Sequence, residues 1–446
     1  MKYLVEHGAN INKEKENGET PLFNACYNGN EAIVKYLVEQ GAAINKTNNA
    51  NETPLIIVCK NGHEAIVKYL VEQKAHINKE DIYGNTSLII SLKKGHEIIT
   101  RYLVEHEADI NKINKWDWET PLFIALKNRN ETLVKYLVEH GANVNNNNKY
   151  YCETPLFIAC RNGNNALVKY LVEHGAYIDK KNIYGDTPLY IVCGNGNKSL
   201  IKYLVERGAD INKENKEGKT PLIEACYNGN EALVKYLVEH AAIINKANKN
   251  GETSLFTACK IGNEAIVKYL IEHGAYINKT NKDGETSLII MCKIGNKAIV
   301  KYLVEHGAYI NIANNDDETP LFIACKNENE TIVNYLLEHG ADINRANKNS
   351  ETPLHEACSN ENETIVKCLV EHRANIDKTN GKGETPLFIV CGNGNEVLVK
   401  YLIEHGADIN KANRNGETPF DEACYNEKET IIKYLIEHGK VIQKKI

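Results

Sequence analysis

Proline is sparse in this 446-residue chain, with ten in all, and tryptophan is scarcer still, with two. No apolar run approaches the roughly 18 residues that a bilayer-crossing helix needs. The opening "MKYLVEHG" is interrupted at Glu6 and His7 before the apolar core of a secretory signal can build. An excess of one charge is also missing. The 53 Lys and Arg are interspersed with 59 Asp and Glu for a formal charge of -6, so no basic field favours nucleic acid or anionic lipid. The chain is therefore expected to be soluble and intracellular, cytoplasmic or nuclear, without membrane insertion or nucleic acid, and monomeric. Asn, Lys, Ile and Tyr are heavily used, a bias that AT-rich codons produce, which takes weight away from polar enrichment as a signal.

What is present is a period. Threonine recurs from Thr20 to Thr418 at steps of 33, broken by two consecutive steps of 34, from Thr86 to Thr120 and on to Thr154. A fixed period between about 20 and 50 residues marks a stacked array rather than separate globular domains. All ten prolines directly follow one of these threonines, and Ser87, Ser254 and Ser287 take the same place elsewhere.

The stretch "ETPLFNACYNGNEAIVKYLVEQGAAIN", residues 19 to 45, shows why. Thr20 can cap a helix with its side-chain oxygen, and Pro21 fits the first helical position, where its missing N–H costs nothing. Leu22, Ala25 and Cys26 form an apolar side with room for a neighbouring helix, and Gly29 supplies the left-handed residue that ends it. Asn30 caps a second helix. In that helix Ile33, Val34, Leu37 and Val38 share one face of a 3.6-residue period, opposite Glu31, Lys35 and Glu39. After Gly41, the polar, turn-rich "AAINKTNNANET" predicts an excursion leading to the next Thr-Pro.

"TPL" with Ala three residues on, then "NGN", "VKYLVEHGA" and "IN", at this spacing, resemble ankyrin repeats. The resemblance implies an all-α solenoid of stacked antiparallel helix pairs with projecting hairpin fingers, whose fingers and concave face bind proteins. Thirteen first helices and fourteen second helices are expected: a partial repeat over 1–16, one continuous array to residue 438, and a tail over 439–446. The chain begins inside a second helix, so a truncated N-terminus with Leu4 and Val5 partly bare is expected, whereas Asp421, Glu422, Glu427 and Lys428 read as a polar C-terminal cap. One departure is consistent. Where the family's "TPLH" has His, this chain has Phe, as at Phe23 and Phe123, or Ile, Tyr190 or Asp421; His355 alone matches. Apolar packing is expected to replace that polar tie.

Two columns invite a chemical reading. Eleven of the thirteen cysteines lie six residues after the repeat threonine, from Cys26 to Cys424. Packed helices sit about 8 to 10 Å apart, beyond the roughly 7 Å reach of a disulfide, so buried reduced thiols are expected and fit a reducing compartment. Eleven of the fifteen histidines end the second helices, from His7 to His438. There an imidazole favours the terminal carbonyls, and the same spacing argues against a metal site. "HEAC" at His355 lacks the second His of a zinc-protease motif, and neither a Gly-rich phosphate loop nor a serine elbow occurs. No cofactor, metal site or catalytic residue is expected, and pairs such as Glu31 with Lys35 read as a solvated face.

The fingers vary where the helices do not. Both extra residues of the array fall in consecutive fingers, "NKINKWDWET" (111–120) and "NNNNKYYCET" (145–154). They bring Trp116, Trp118, Tyr150 and Tyr151, flanked by Tyr83 and Tyr184 on the adjacent fingers. Aromatics on projecting loops of a rigid scaffold are usual material for a binding hot spot, and these six are the predicted partner contacts. The alternative is that the rings lie down on neighbouring fingers. The expected function is a non-catalytic scaffold or adaptor for a protein partner; a targeting array within a larger polypeptide is the second reading. Glu328 and Glu361 replace the helix-ending glycine, and Arg373 follows a second helix, so residues 320–375 are expected to open first.

Overall fold

The computed structural model describes residues 2–443, with the side chains of Lys2, Leu4 and 439–443 outside that description. Among the described residues there are 27 α-helices and no strand. The chain falls into two compact units, Met1–Lys216 and Glu217–Ile446. Each is built from one module: a first helix such as Pro21–Tyr27, a second helix such as Glu31–Glu39, and a finger. Within each unit, first helices pack on the next first helix and on their own second helix. The last helix, Glu429–Gln443, runs past residue 438 into the expected tail. Leu4 falls among the residues whose side chains are not described, and Val5 is half-buried.

Local chemistry sets the helix ends. Thr53 is extended, and its hydroxyl accepts the Ile56 N–H at 3.2 Å, with Pro54 leading the helix. Thr20 differs from the expectation. It has the same backbone shape, but its buried hydroxyl makes no capping bond. Asn30 caps the second helix by accepting the Ile33 N–H at 3.1 Å. The core is the apolar stripe of both helices: Leu22, Phe23, Cys26, Val34 and Leu37 are buried, each such aliphatic side chain contributing about 1.5–3 kcal/mol before ordering costs. Phe23, Phe123, Phe157 and Phe322 are among the largest fully buried side chains, so the ring fills the space of the missing His. His355 instead takes the Thr352 N–H on Nδ1 at 3.2 Å and donates from Nε2 to the Glu384 carbonyl of the next repeat at 3.2 Å.

Asparagine, discounted as codon bias, bolts the repeats together. Asn111 accepts the Asn143 N–H on Oδ1 at 2.7 Å and donates from Nδ2 to the Gly141 carbonyl at 3.1 Å, pairing like a peptide group with the following repeat. Asn78, Asn245, Asn278 and Asn311 do the same one repeat further on each time. A second asparagine closes most fingers, with Asp81 in that role in one of them. Asn48 Oδ1 accepts the Ala50 and Glu52 N–H groups at 3.0 and 2.9 Å, while its Nδ2 reaches the Glu52 carboxylate. Glu52 in turn pairs with Lys60 on the first helix at 3.0 Å. Backbone groups outside the helices lack helical partners, and at these positions amide side chains about one repeat away supply them.

Candidate partner-binding site

Successive fingers are joined by a backbone ladder. The Asn49 N–H donates to the Asn17 carbonyl at 2.9 Å, Ile82 to Ala50 at 3.1 Å, Lys115 to Tyr83 at 3.0 Å, and Ile183 to Tyr151 at 2.9 Å. One rung is missing in this unit. Among the described residues, no backbone bond links finger 111–120 to finger 145–154, the two with an extra residue. Their turns are wider, closed by the Asn114 N–H on the Glu119 carbonyl and the Asn148 N–H on that of Glu153, five residues apart where Asn48 and Glu52 are four. Contact between the two passes through side chains. The Tyr150 hydroxyl reaches the Trp116 carbonyl at 3.5 Å, and Lys149 Nζ lies 4.5 Å from the Trp118 ring centre.

The backbone at Trp118 is left-handed, with φ +55°. The equivalent finger position is glycine at Gly18, Gly84 and Gly185, with φ from +76° to +80°. A Cβ in that region crowds the following carbonyl and costs about 1–2 kcal/mol. Asn and Asp tolerate it best, as at Asn51 and Asp317, while Cys152 and Ser350 also take it. Trp118 is 43 % exposed and is not part of the core.

All six predicted aromatics are exposed: Trp116 at 68 %, Tyr150 at 62 % and Tyr184 at 54 %, with Tyr83, Tyr151 and Trp118 between 43 % and 49 %. The chain brings some of them together. Tyr83 meets Trp116 edge-on, with ring centres 5.9 Å apart at 88°, a favoured aromatic geometry. Tyr151 and Tyr184 sit on fingers joined by the Ile183 rung. Tyr83, Trp116, Trp118 and Tyr150 thus contact the adjacent finger, yet each of the six rings keeps over two-fifths of its surface in solvent.

Below the broken rung lies a cleft of about 500 Å³ lined by Phe123, Ile158, Tyr150, Tyr151 and charged residues. Glu119 pairs with Lys127 at 2.7 Å, Glu153 with Arg161 at 2.5 Å, and Asp117 with Lys93 at 3.0 Å. Among the described residues Arg129, which also lines the cleft, has no such counter-ion. Its residue is also left-handed, φ +54°, in the helix-ending position that Gly95 and Gly163 occupy on either side. The sequence carried that signal, since Arg129 interrupts the same glycine column as Glu328 and Glu361, but Arg129 and Lys149 were not among the predicted contacts.

The two chemical columns resolve as packing. All thirteen cysteines are free thiols; in the repeat column those from Cys26 to Cys391 are buried, whereas Cys424 is exposed, on a first helix against which no further first helix packs among the described residues. Burial pushes the thiols of Cys26, Cys259 and Cys391 up to about 12, against a Ser287 hydrogen bond at Cys259 and with help from the Glu422 charge at Cys391, which keeps them protonated and unreactive. The histidines end their helices as expected. His106 Nδ1–H donates to the Tyr102 carbonyl at 2.8 Å, and the ring lies 4.0 Å from that of Tyr102, an arrangement repeated at His140 and His306. Among the described residues no three His, Cys, Asp or Glu side chains gather as a metal site would require, and no helix is long and apolar enough to cross a membrane.

A family model described as "Ankyrin repeats (3 copies)" matches overlapping segments from residues 1–81 to 354–446, and a second, "Ankyrin repeats (many copies)", matches 327–370. The chain belongs to the ankyrin-repeat family. Ankyrin repeats are generally protein–protein interaction modules, and the family is typically non-catalytic. No curated protein matches the sequence.

Proposed function

We propose that this ankyrin-repeat protein is a non-catalytic scaffold or adaptor that captures a protein partner on its fingers, with Tyr83, Trp116, Trp118, Tyr150, Tyr151 and Tyr184 as the contact residues. The observation that carries this reading is Trp118. A bulky ring stands on backbone that glycine would occupy without strain, and it stays exposed instead of filling the core. Strained positions persist where the surrounding fold holds them, and they cluster at ligand-binding sites. Docking onto a stacked scaffold loses little ordering entropy, which favours a rigid display of this kind. The thirteen free cysteines, most of them buried, fit work in a reducing compartment inside the cell.

The test replaces Trp116 and Trp118 by Ala in the full chain. Helical content by circular dichroism should be unchanged, while the set of proteins captured from a native lysate should lose its principal member. Unaltered capture with unaltered folding rejects the reading.

A further inference from the structure

The partner-contact reading leaves open the chemistry of what docks, and the polar groups that the fold leaves unused around the broken rung narrow it. Arg129 stands in the column that ends the first helices, where glycine is the rule. Two other residues that replace this glycine are used within the chain. Glu328 accepts from Asn362 of the next repeat and Glu361 from Asn395, both at 3.4 Å. The equivalent amide beyond Arg129, that of Asn164, turns instead to Glu131 at 3.3 Å. Asn162 is a second unused group. At the same place on the neighbouring first helices, Asn128 donates to the Leu92 carbonyl at 2.9 Å and Asn195 to the Arg161 carbonyl at 3.1 Å, each tying its repeat to the one before. Among the described residues the Asn162 carboxamide has no such partner, and it lines the same cleft as Arg129.

Charge chooses the sign of the ligand. The three acids that line the cleft are each paired, Asp117 with Lys93, Glu119 with Lys127 and Glu153 with Arg161. An incoming cation therefore meets no free carboxylate, whereas an incoming carboxylate meets a guanidinium able to take it by two parallel N–H···O bonds. The Asn162 carboxamide can both donate to and accept from a peptide group in the same cleft. The apolar part of the wall, Phe123, Ile158 and the exposed ring of Tyr150, suits an apolar side chain next to that carboxylate. A nucleic-acid strand carries a charge at every nucleotide and needs a cationic track beside the rings it stacks on; one unpaired cation among three carboxylates is not such a track. We propose that the cleft takes an acidic segment of a partner protein, with an Asp or Glu carboxylate bound by Arg129, the adjoining peptide group by Asn162, and a neighbouring apolar side chain packed on Tyr150. This rests on the partner-contact reading of the same fingers.

The experiment selects peptides on the full chain from a phage-displayed library of random dodecamers, then measures the selected peptides, capped at both ends and labelled, by fluorescence anisotropy. Arg129→Gly installs the residue found at Gly95 and Gly163, and Arg129→Glu the residue found at Glu328 and Glu361, so the fold already accepts both in this column. Wild type should enrich Asp or Glu beside an aromatic or large aliphatic residue. Arg129→Gly and Tyr150→Ala should each weaken those peptides at least about tenfold, and Arg129→Glu should select Lys or Arg in place of the acid. The proposal is overturned if wild type enriches no peptide or only peptides without an acidic bias, or if Arg129→Gly or Tyr150→Ala binds the selected peptides as wild type does. It is equally overturned if Arg129→Glu fails to reverse the charge preference, or if a single-stranded oligonucleotide of twelve thymidines binds more tightly than the peptides. Any of these failures alongside tryptophan-dependent capture from lysate sinks this inference and leaves the partner-contact reading standing.

Discussion

Ser91 Oγ lies 2.8 Å from Thr100 Oγ1 in the core of the repeat that begins at Thr86. Neighbouring repeats place Ala125 and Val134 in these two columns, so a pair of apolar residues has been exchanged for a pair of hydroxyls. Each hydroxyl also reaches a backbone carbonyl, Ser91 that of Leu88 at 2.8 Å and Thr100 that of His96 at 3.0 Å. With one proton apiece, one hydroxyl donates to the other while its partner donates to the backbone. Replacing Thr100 alone by Val, or Ser91 alone by Ala, should cost about 1 kcal/mol, whereas the double variant should match or exceed wild type. Urea denaturation of the four proteins decides it; additive losses would show that the pair is not coupled.

His355 makes the unit Glu217–Ile446 sensitive to acid. Burial holds its pKa below the usual 6.5, outweighing the carbonyl and carboxylates that favour the charged ring. Nδ1 must stay unprotonated to accept the Thr352 N–H. Below pH 6.5 the unfolded chain takes up a proton that the folded chain does not, so stability is full above that pH and falls as pH drops through it. His355→Phe, which installs the ring found at Phe322 and Phe388, should flatten the change in melting temperature between pH 7 and pH 5.5. An equal slope in both proteins would show that His355 is not the titrating group.

The segment 320–375 should be the first to open within its unit. Glu328, Ser350, Glu361 and Arg373 all have φ between +55° and +67°, each costing about 1 kcal/mol relative to glycine. The outer face differs as well. Elsewhere a lysine lies over the next repeat's tyrosine ring, as Lys235 does over Tyr269, but here Cys368 replaces the tyrosine and hydrogen-bonds Asn334 at 2.7 Å. Hydrogen exchange should run faster across 320–375 than in the repeats on either side. Amides there among the slowest would refute this.

Much of this architecture was legible in the sequence because one period carries both signals. Pro21 after Thr20 marks a helix start and Leu22, Phe23 and Cys26 mark its buried side, and both recur every 33 or 34 residues. What stayed hidden depends on contacts about one repeat away. Asn111 looks like any loop asparagine until its amide meets Gly141 and Asn143. The missing rung beside Trp116 depends on where two widened turns come to rest, which no local pattern records. Trp118 and Arg129 are legible in the sequence, since each interrupts a glycine column.

The central claim is that Trp118 is kept at a cost to stability for the sake of the partner. Trp118→Gly in the full chain tests it most directly. Relief of about 1–2 kcal/mol of backbone strain, less about 0.5–1 kcal/mol for the exposed contact with Lys149, should leave the variant more stable by up to about 1.5 kcal/mol in urea. Partner capture should fall in the same protein. A variant that is less stable than wild type, or one that captures its partner undiminished, would contradict the account.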